Sequence, residues 1–325
     1  MRREKKTDFF ILLFFTFLFL FYHQVFVKEE INRKIDIFIP KNLNLSQISQ
    51  LLKAKGVIKR DYLFFFYAKI FSKEKDLKGG YYQLMENMKE IRVLFAFLKR
   101  YRIPVWVTIP EGFTIREIGE ILEKKGVCHK EDFINYCVNP DVLKRYNIPF
   151  ASAEGFLFPD SYQFFTNSSP AVVFDKMFRR FWEVYSALKR KYKTKLSDST
   201  IIILASIVEK EAKIDSEKPL IASVFLNRLR KGMRLEACAT IQYLLEKRKP
   251  KLSKEDLEIP SPYNTYLHKG LPPTPICNPG KSSLAAVLSS PQTNYYYFFT
   301  PNGITHIFSK TFEEHRKKIQ ILTKN

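Results

Sequence analysis

Ile39-Pro-Lys-Asn-Leu-Asn-Leu-Ser-Gln-Ile-Ser-Gln-Leu-Leu-Lys-Ala-Lys-Gly-Val57 aligns without gaps on Ile109-Pro-Glu-Gly-Phe-Thr-Ile-Arg-Glu-Ile-Gly-Glu-Ile-Leu-Glu-Lys-Lys-Gly-Val127, an internal repeat at an offset of 70 residues. Alternating apolar residues lead into each copy, over Ile35 to Ile39 and Val105 to Ile109, and a proline closes each run, which predicts a short strand. Helical spacing follows: Leu45, Ile48, Leu51 and Leu52 in one copy, Ile115, Ile118, Ile121 and Leu122 in the other. Asn44 or Thr114 is placed to cap, and Gly56 or Gly126 to stop. An acidic residue then opens a further amphipathic stretch, Asp61-Tyr-Leu-Phe-Phe-Phe-Tyr67 or Glu131-Asp-Phe-Ile-Asn-Tyr136. The pattern predicts two copies of a small α+β unit. Between them, Gly79-Gly-Tyr-Tyr-Gln-Leu84 reads as a strand and Met88 to Leu98 as a helix.

Upstream of the repeat, Arg2, Arg3, Lys5 and Lys6 precede Phe9 to Val27, in which only His23 can carry a charge. That run is close to the roughly 20 residues that cross a bilayer, and its basic flank predicts an N-in orientation. His23-Gln-Val-Phe-Val-Lys28 offers no small residues for a signal-peptidase cut, so an uncleaved single-pass anchor is expected, with the remaining chain outside the cytoplasmic (inner) membrane. Lys and Arg number 54 against 33 Asp and Glu, a net charge of +21. Such a surface attracts nucleic acid, acidic lipid headgroups or an anionic wall polymer, and export removes nucleic acid from that set. The Lys- and Phe-rich composition can equally reflect genome bias or growth at high temperature.

Downstream, Ala153-Glu-Gly-Phe-Leu-Phe-Pro-Asp-Ser-Tyr-Gln-Phe164 is dense in aromatics and turn formers, and Ser169-Pro-Ala opens a long helix to about Lys191. A helix ending at Glu211 is expected to be capped by Ser199 or Thr200, and the next, capped by Asp215 or Ser216, to stop near Gly232. Tyr295 to Phe299 and Thr305 to Phe308 predict a hairpin. Four cysteines, Cys128, Cys137, Cys238 and Cys277, allow Cys128/Cys137 and Cys238/Cys277 disulfides or isolated thiols. No Cys or His spacing suggests a metal site, and no cofactor is expected.

Chemistry points to Ile201-Ile-Ile-Leu-Ala-Ser-Ile-Val-Glu-Lys-Glu211, an apolar helix ending in two carboxylates. At 100° per residue Glu211 lies above Leu204, Ile207 and Val208. A carboxyl there is poorly hydrated, which favours its protonated form and suits it to act as an acid. Glu209 is turned away, with Lys213 at i+4 to pair it, and is expected to be the solvated member. Tyr263-Asn-Thr-Tyr266 is a loop fit to hydrogen-bond sugar hydroxyls and to stack on pyranose rings. Histidines are scattered, and no Gly-x-Ser-x-Gly elbow or phosphate loop is present, which leaves acid-catalysed glycan cleavage among the common exported chemistries.

Leu204-Ala-Ser-Ile-Val-Glu-Lys-Glu211, Ala222-Ser-Val-Phe-Leu-Asn-Arg-Leu229, Gly232-Met-Arg-Leu235, Tyr263-Asn-Thr-Tyr266, Gly270-Leu-Pro-Pro273 and Asn278-Pro-Gly280 together resemble the MltG (YceG-like) endolytic murein transglycosylases. The resemblance spans essentially the whole chain, including Glu154-Gly-Phe-Leu-Phe-Pro-Asp160 and a small LysM-like region. It implies cleavage of the MurNAc–GlcNAc β-1,4 bond within nascent peptidoglycan strands, leaving 1,6-anhydro-MurNAc ends and terminating elongation, with Glu211 as the catalytic glutamate. Thr240, Gln242, Tyr263, Asn264 and Tyr266 are the expected sugar-binding residues, and peptidoglycan synthases are expected as further partners. One departure stands out: many relatives have Gln, a small residue, Asp and Pro where this chain has Glu236-Ala-Cys-Ala239.

The expected organisation is a basic tail at 1–8, a transmembrane helix at 9–27, a LysM-like α+β unit at 28–102, a second repeat unit at 103–165, a connecting helix at 166–195 and a catalytic domain at 196–325. Two other functions fit the same features: a non-catalytic wall-binding scaffold, and a hydrolytic muramidase using Glu209, Asp215 or Glu236 as a second carboxylate.

Overall fold

The computed structural model describes residues 33–40, 43–71, 77, 79–99, 104–245 and 249–322. The expected tail and membrane span lie outside these residues; among the described ones, no helix is long and apolar enough to cross a membrane. The described residues form two compact units of mixed α+β structure, one within 1–105, 125–128 and 164–168, the other within 106–124, 129–163 and 169–325.

In the first unit, strand β1 (Lys34–Ile39) pairs antiparallel with β2 (Gly80–Met85), setting Ile37 opposite Tyr82 and Ile35 opposite Leu84. Helices α1 (Leu45–Ala54), α2 (Asp61–Ile70) and α3 (Glu90–Lys99) accompany this ribbon, and Ile37, Ile39, Leu52, Phe64, Leu84 and Phe97 form a closed core. Asn44 caps α1 reciprocally with Gln47, each side chain accepting the other's backbone N–H at 2.9 Å.

The second repeat copy keeps the same spacing. Strand β3 (Pro104–Thr108) and helix α4 (Ile115–Lys124) begin 70 residues after β1 and α1, and Thr114 and Glu117 form the corresponding capping pair. Gly56 and Gly126 hold φ of +73° and +69°, the left-handed stop that glycine adopts without a Cβ penalty. Helices α5 (Lys130–Cys137) and α6 (Pro140–Arg145) follow, and β4 (Ser161–Phe165) pairs with β3.

Helix α7 (Pro170–Lys191) lays Phe174, Phe178, Phe181 and Tyr185 into an aromatic core with Phe156. Helix α8 (Asp198–Glu211) is capped by Ser197, whose Oγ accepts from Thr200 N–H, and not by Ser199 or Thr200 as expected, because the helix starts earlier and both lie within its first turn. Residues 201–208 of α8 are all buried, so its apolar surface runs right round and each large side chain contributes about 1.5–3 kcal/mol. A short turn at Asp215–Glu217 leads to α9 (Lys218–Arg230), then α10 (Cys238–Leu244), α11 (Lys254–Leu257) and α12 (Lys281–Leu288); α9 and α12 both pack on α8.

The hairpin is shorter than expected, β5 (Tyr297–Phe299) with β6 (Ile307–Ser309), before α13 (Phe312–Leu322). Its first residues are engaged elsewhere: Asn227 Nδ2 donates to the carbonyls of Thr293 and Tyr295, and Arg228 Nε to that of Tyr296. Among the described residues, no disulfide joins the cysteines.

Gly155 is held at φ +90°, and a Cβ there would lie 2.6 Å from Pro275 Cγ and 2.9 Å from Ile202 Cγ2. Gly155→Ala should therefore lower unfolding free energy by at least about 2 kcal/mol, combining backbone strain with overpacking. Thermal and denaturant unfolding of the variant measure it, and unchanged stability would contradict this packing.

Candidate functional site

The second unit opens a cleft of about 1040 Å³ lined by the ends of several elements, among them Thr114, Arg116, Glu154, Lys210, Glu211, Lys213, Cys238, Ala239, Gln242, Tyr243 and His306. Glu211 is the last residue of α8. One of its carboxyl oxygens accepts the N–H of Ala239, in the first turn of α10, at 3.2 Å, which fixes the carboxyl at a helix end whose dipole favours an acceptor. Next to it Cys238 Sγ and the Tyr266 hydroxyl are 3.0 Å apart. Burial pushes both the thiol and the phenol up, so this pair is neutral.

The loop that supplies Ala239 is held from beneath. Thr265 accepts Glu236 N–H through its carbonyl and Ala237 N–H through its hydroxyl, and its hydroxyl meets that of Thr240 at 2.9 Å. Arg228 donates to the carbonyls of Arg234 and Leu235 and to Glu236. Glu236 sits at φ +52°, an unusual value for a non-glycine, at the bend before α10.

The five expected sugar-binding residues are placed differently from one another. Gln242 lines the cleft, its amide clamping the backbone of Lys249 in both directions at 2.7 and 3.0 Å. Tyr266 reaches the site beside Cys238. Tyr263 stands behind Tyr243, ring centroids 5.3 Å apart, with its hydroxyl on Thr274. Thr240 and Asn264 are fully enclosed: Thr240 bonds Ala237 O and Thr265, while Asn264 donates to Leu257 O and Ile259 O and accepts from Tyr266 N–H. Their polar atoms are turned inward, to hold the loops that frame the cleft.

The expectation that Glu209 is solvated is corrected. Its side chain is 8% exposed and accepts from Gly280 N–H, the Ser283 hydroxyl and Lys218 Nζ at 2.9, 2.6 and 3.4 Å. The reason is that α8 has no solvent face on that side, because α12 covers it. Lys218 also meets Asp215 at 2.8 Å and Ser282 at 2.7 Å. Burial pulls its ammonium down, but Asp215, Glu209 and Glu111 outweigh that and hold it above its ordinary value.

Sequence reasoning missed Glu154, which is enclosed and accepts Ile115 N–H on both oxygens at 3.1 Å and Asn278 Nδ2 at 2.8 Å. The signal was there in Glu154-Gly-Phe-Leu-Phe-Pro-Asp160, but not its partner 124 residues away. It also missed the Ala239 N–H, since a backbone donor leaves no mark in residue identity.

Fold and cleft together define a class, an α+β protein whose C-terminal unit opens a wide cleft around a helix-end carboxyl. A model described as the YceG-like family matches residues 37–321. An endolytic murein transglycosylase of Bacillus subtilis is 32% identical over 315 residues, covering 90% of this chain and 85% of that protein. One from Streptococcus pneumoniae serotype 2 is 28% identical over 299 residues, covering 81% of this chain and 54% of that protein. A crystal structure at 2.6 Å of a yceG-like protein from Listeria monocytogenes matches with a TM-score of 0.59 at 34% identity, covering 88% of this chain and 99% of that one. The chain belongs to the YceG-like family.

Burial pushes the Glu154 carboxyl up to about 8, against the pull of Ile115 N–H, Lys210 and Asn278. A group raised on folding stabilises fully below its ordinary value of 4.5, and that contribution is lost as pH rises through about 8. Wild type should thus lose stability relative to Glu154→Gln as pH rises across this window. Denaturant titrations on either side of it measure the difference, and a pH-independent gap would mean Glu154 is ionised throughout.

Proposed function

We propose that this protein is a lytic transglycosylase acting on murein, anchored in the cytoplasmic membrane by residues 9–27 with its N-terminus inside and its cleft outside. It cuts the MurNAc–GlcNAc β-1,4 bond within nascent glycan strands and so terminates their elongation. The observation that carries this is Glu211, oriented by a backbone N–H at the edge of a cleft large enough for several sugars, in a chain of the YceG-like family. Relatives named endolytic murein transglycosylase support the same reading.

Protonated Glu211 gives its proton to the oxygen leaving between MurNAc and GlcNAc as positive charge develops at the muramyl anomeric carbon. The resulting carboxylate takes the proton from the C6 hydroxyl of the same sugar as O6 attacks that carbon, closing the 1,6-anhydro ring. Because the nucleophile is part of the substrate, no second carboxylate is needed. Glu209 and Asp215 are engaged by Lys218, and Glu236 by Arg228, which favours ring closure over a hydrolase with a water-activating base.

Gln242 and Tyr266 contact the glycan, while Thr240, Tyr263 and Asn264 shape the loops that carry them. Residues 28–102 hold the strand in the manner of a LysM-like unit, and a peptidoglycan synthase supplies it.

Digestion of uncrosslinked peptidoglycan by the detergent-solubilised full chain should release products with anhydro-muramyl ends, and Glu211→Gln should slow release about a thousandfold. Wild-type rates in that variant would sink the assignment, and no cleavage by wild type would favour the scaffold.

A further inference from the structure

His306 lies on the wall of the cleft, in the connection between β5 and β6. Its side chain is only 4% exposed, and it is held on one side: Nδ1 is 2.7 Å from Glu217 Oε2. The same carboxylate accepts the His306 backbone N–H on both oxygens, at 3.1 and 3.2 Å. Phe298 packs edge-on against the ring at a centroid distance of 5.4 Å. An imidazole whose Nδ1–H is given to a carboxylate presents Nε2 as an acceptor, in a fixed direction.

Among the described residues, Nδ1 is the ring nitrogen of His306 that has a hydrogen-bond partner. Among the described residues, the fully enclosed side-chain polar atoms lacking a partner are Ser309 Oγ and His315 Nδ1. Nε2 of His306 is therefore not sealed off, and the residue that carries it lines the cleft. Its anchor is rigid as well. Glu217 follows Glu211 by six residues in the turn that leaves α8, and the hairpin bearing His306 is tied to α9 by Asn227 and Arg228.

We propose that His306 is a substrate-binding residue: Nε2 accepts a hydrogen bond from a sugar hydroxyl or acetamido N–H of the glycan in the cleft, and Glu217 is the positioning residue that aims it. This rests on the glycan reading of the cleft. It gives the strand a contact separate from Glu211, on a different element, so that the bond to be cut is located from two points.

Binding separates the two claims when measured on the Glu211→Gln protein, full chain in detergent, with soluble uncrosslinked strands of alternating GlcNAc and MurNAc-peptide as the probe. In that background His306→Asn keeps an amide N–H near Nδ1 for Glu217 but removes Nε2; it should leave the melting temperature within about 2 °C and weaken binding about tenfold. His306→Gln, whose amide reaches the Nε2 position, should recover part of the loss. The imidazole nitrogen spectrum of the Glu211→Gln protein needs no change at position 306: the Nε2 resonance of the carboxylate-bonded histidine should shift on glycan addition. Undiminished binding by His306→Asn, or an unmoved Nε2 resonance in a glycan-saturated sample, overturns the assignment alone. No glycan binding by the Glu211→Gln protein overturns the glycan reading and this assignment with it.

Discussion

The buried side-chain amide of Asn278 is the joint on which the second unit depends. Its Oδ1 accepts the N–H groups of Gly155 and Leu157 at 2.9 Å each, and its Nδ2 donates to Phe113 O and to Glu154 Oε1 at 2.9 and 2.8 Å. Its own backbone pairs with the same turn, donating to Phe113 O and accepting from Gly112 N–H. A primary amide offers two donors and two acceptor sites, and here all are used. Three segments distant in sequence are thereby fixed together: the turn before α4, the Glu154 segment and the approach to α12. Each bond contributes about 1 kcal/mol net, but loss of the amide would strand the enclosed N–H groups of Gly155 and Leu157 together, at about 1–3 kcal/mol each. Gly155 is required at the same joint because Pro275 and Ile202 leave no room for a side chain.

A second constraint separates the two glutamates at the end of α8. Glu209 forms an enclosed ion pair with Lys218, braced by Ser282, Ser283 and the N–H of Gly280 and flanked on the exposed side by Asp215 and Glu111. Enclosed ion pairs add little net stability over apolar packing, yet removing one member is costly. Such a group makes one arrangement of α8, α9 and α12 much better than its neighbours. With Glu209 tied down, Glu211 emerges at the cleft two residues later, where Ala239 N–H sets its direction.

Local order was legible from residue patterns. The 70-residue offset carried over to strand and helix starts, and the caps at Asn44 and Thr114 followed from side-chain chemistry within four residues. Short-range rules failed where a distant side chain competed for the backbone, as when Asn227 and Arg228 took carbonyls from the start of the hairpin. At the site, helix periodicity placed Glu209 in solvent, yet α8 is buried right round and Glu209 is enclosed, because periodicity could not say what covered the other face. Thr240 and Asn264 were expected to bind sugar as polar residues, and polarity does not distinguish a group turned to a ligand from one that holds its own backbone in place. His306 was one of five scattered histidines until the fold brought Glu217 to it across 89 residues.

The central chemical claim is that Glu211 serves an intramolecular attack in which water takes no part. Digestion of peptidoglycan in water enriched in the heavy oxygen isotope, followed by mass analysis of the new muramyl ends, tests it directly. Ring closure by the sugar's own O6 predicts anhydro ends carrying no solvent oxygen; reducing ends labelled with one heavy oxygen would contradict it.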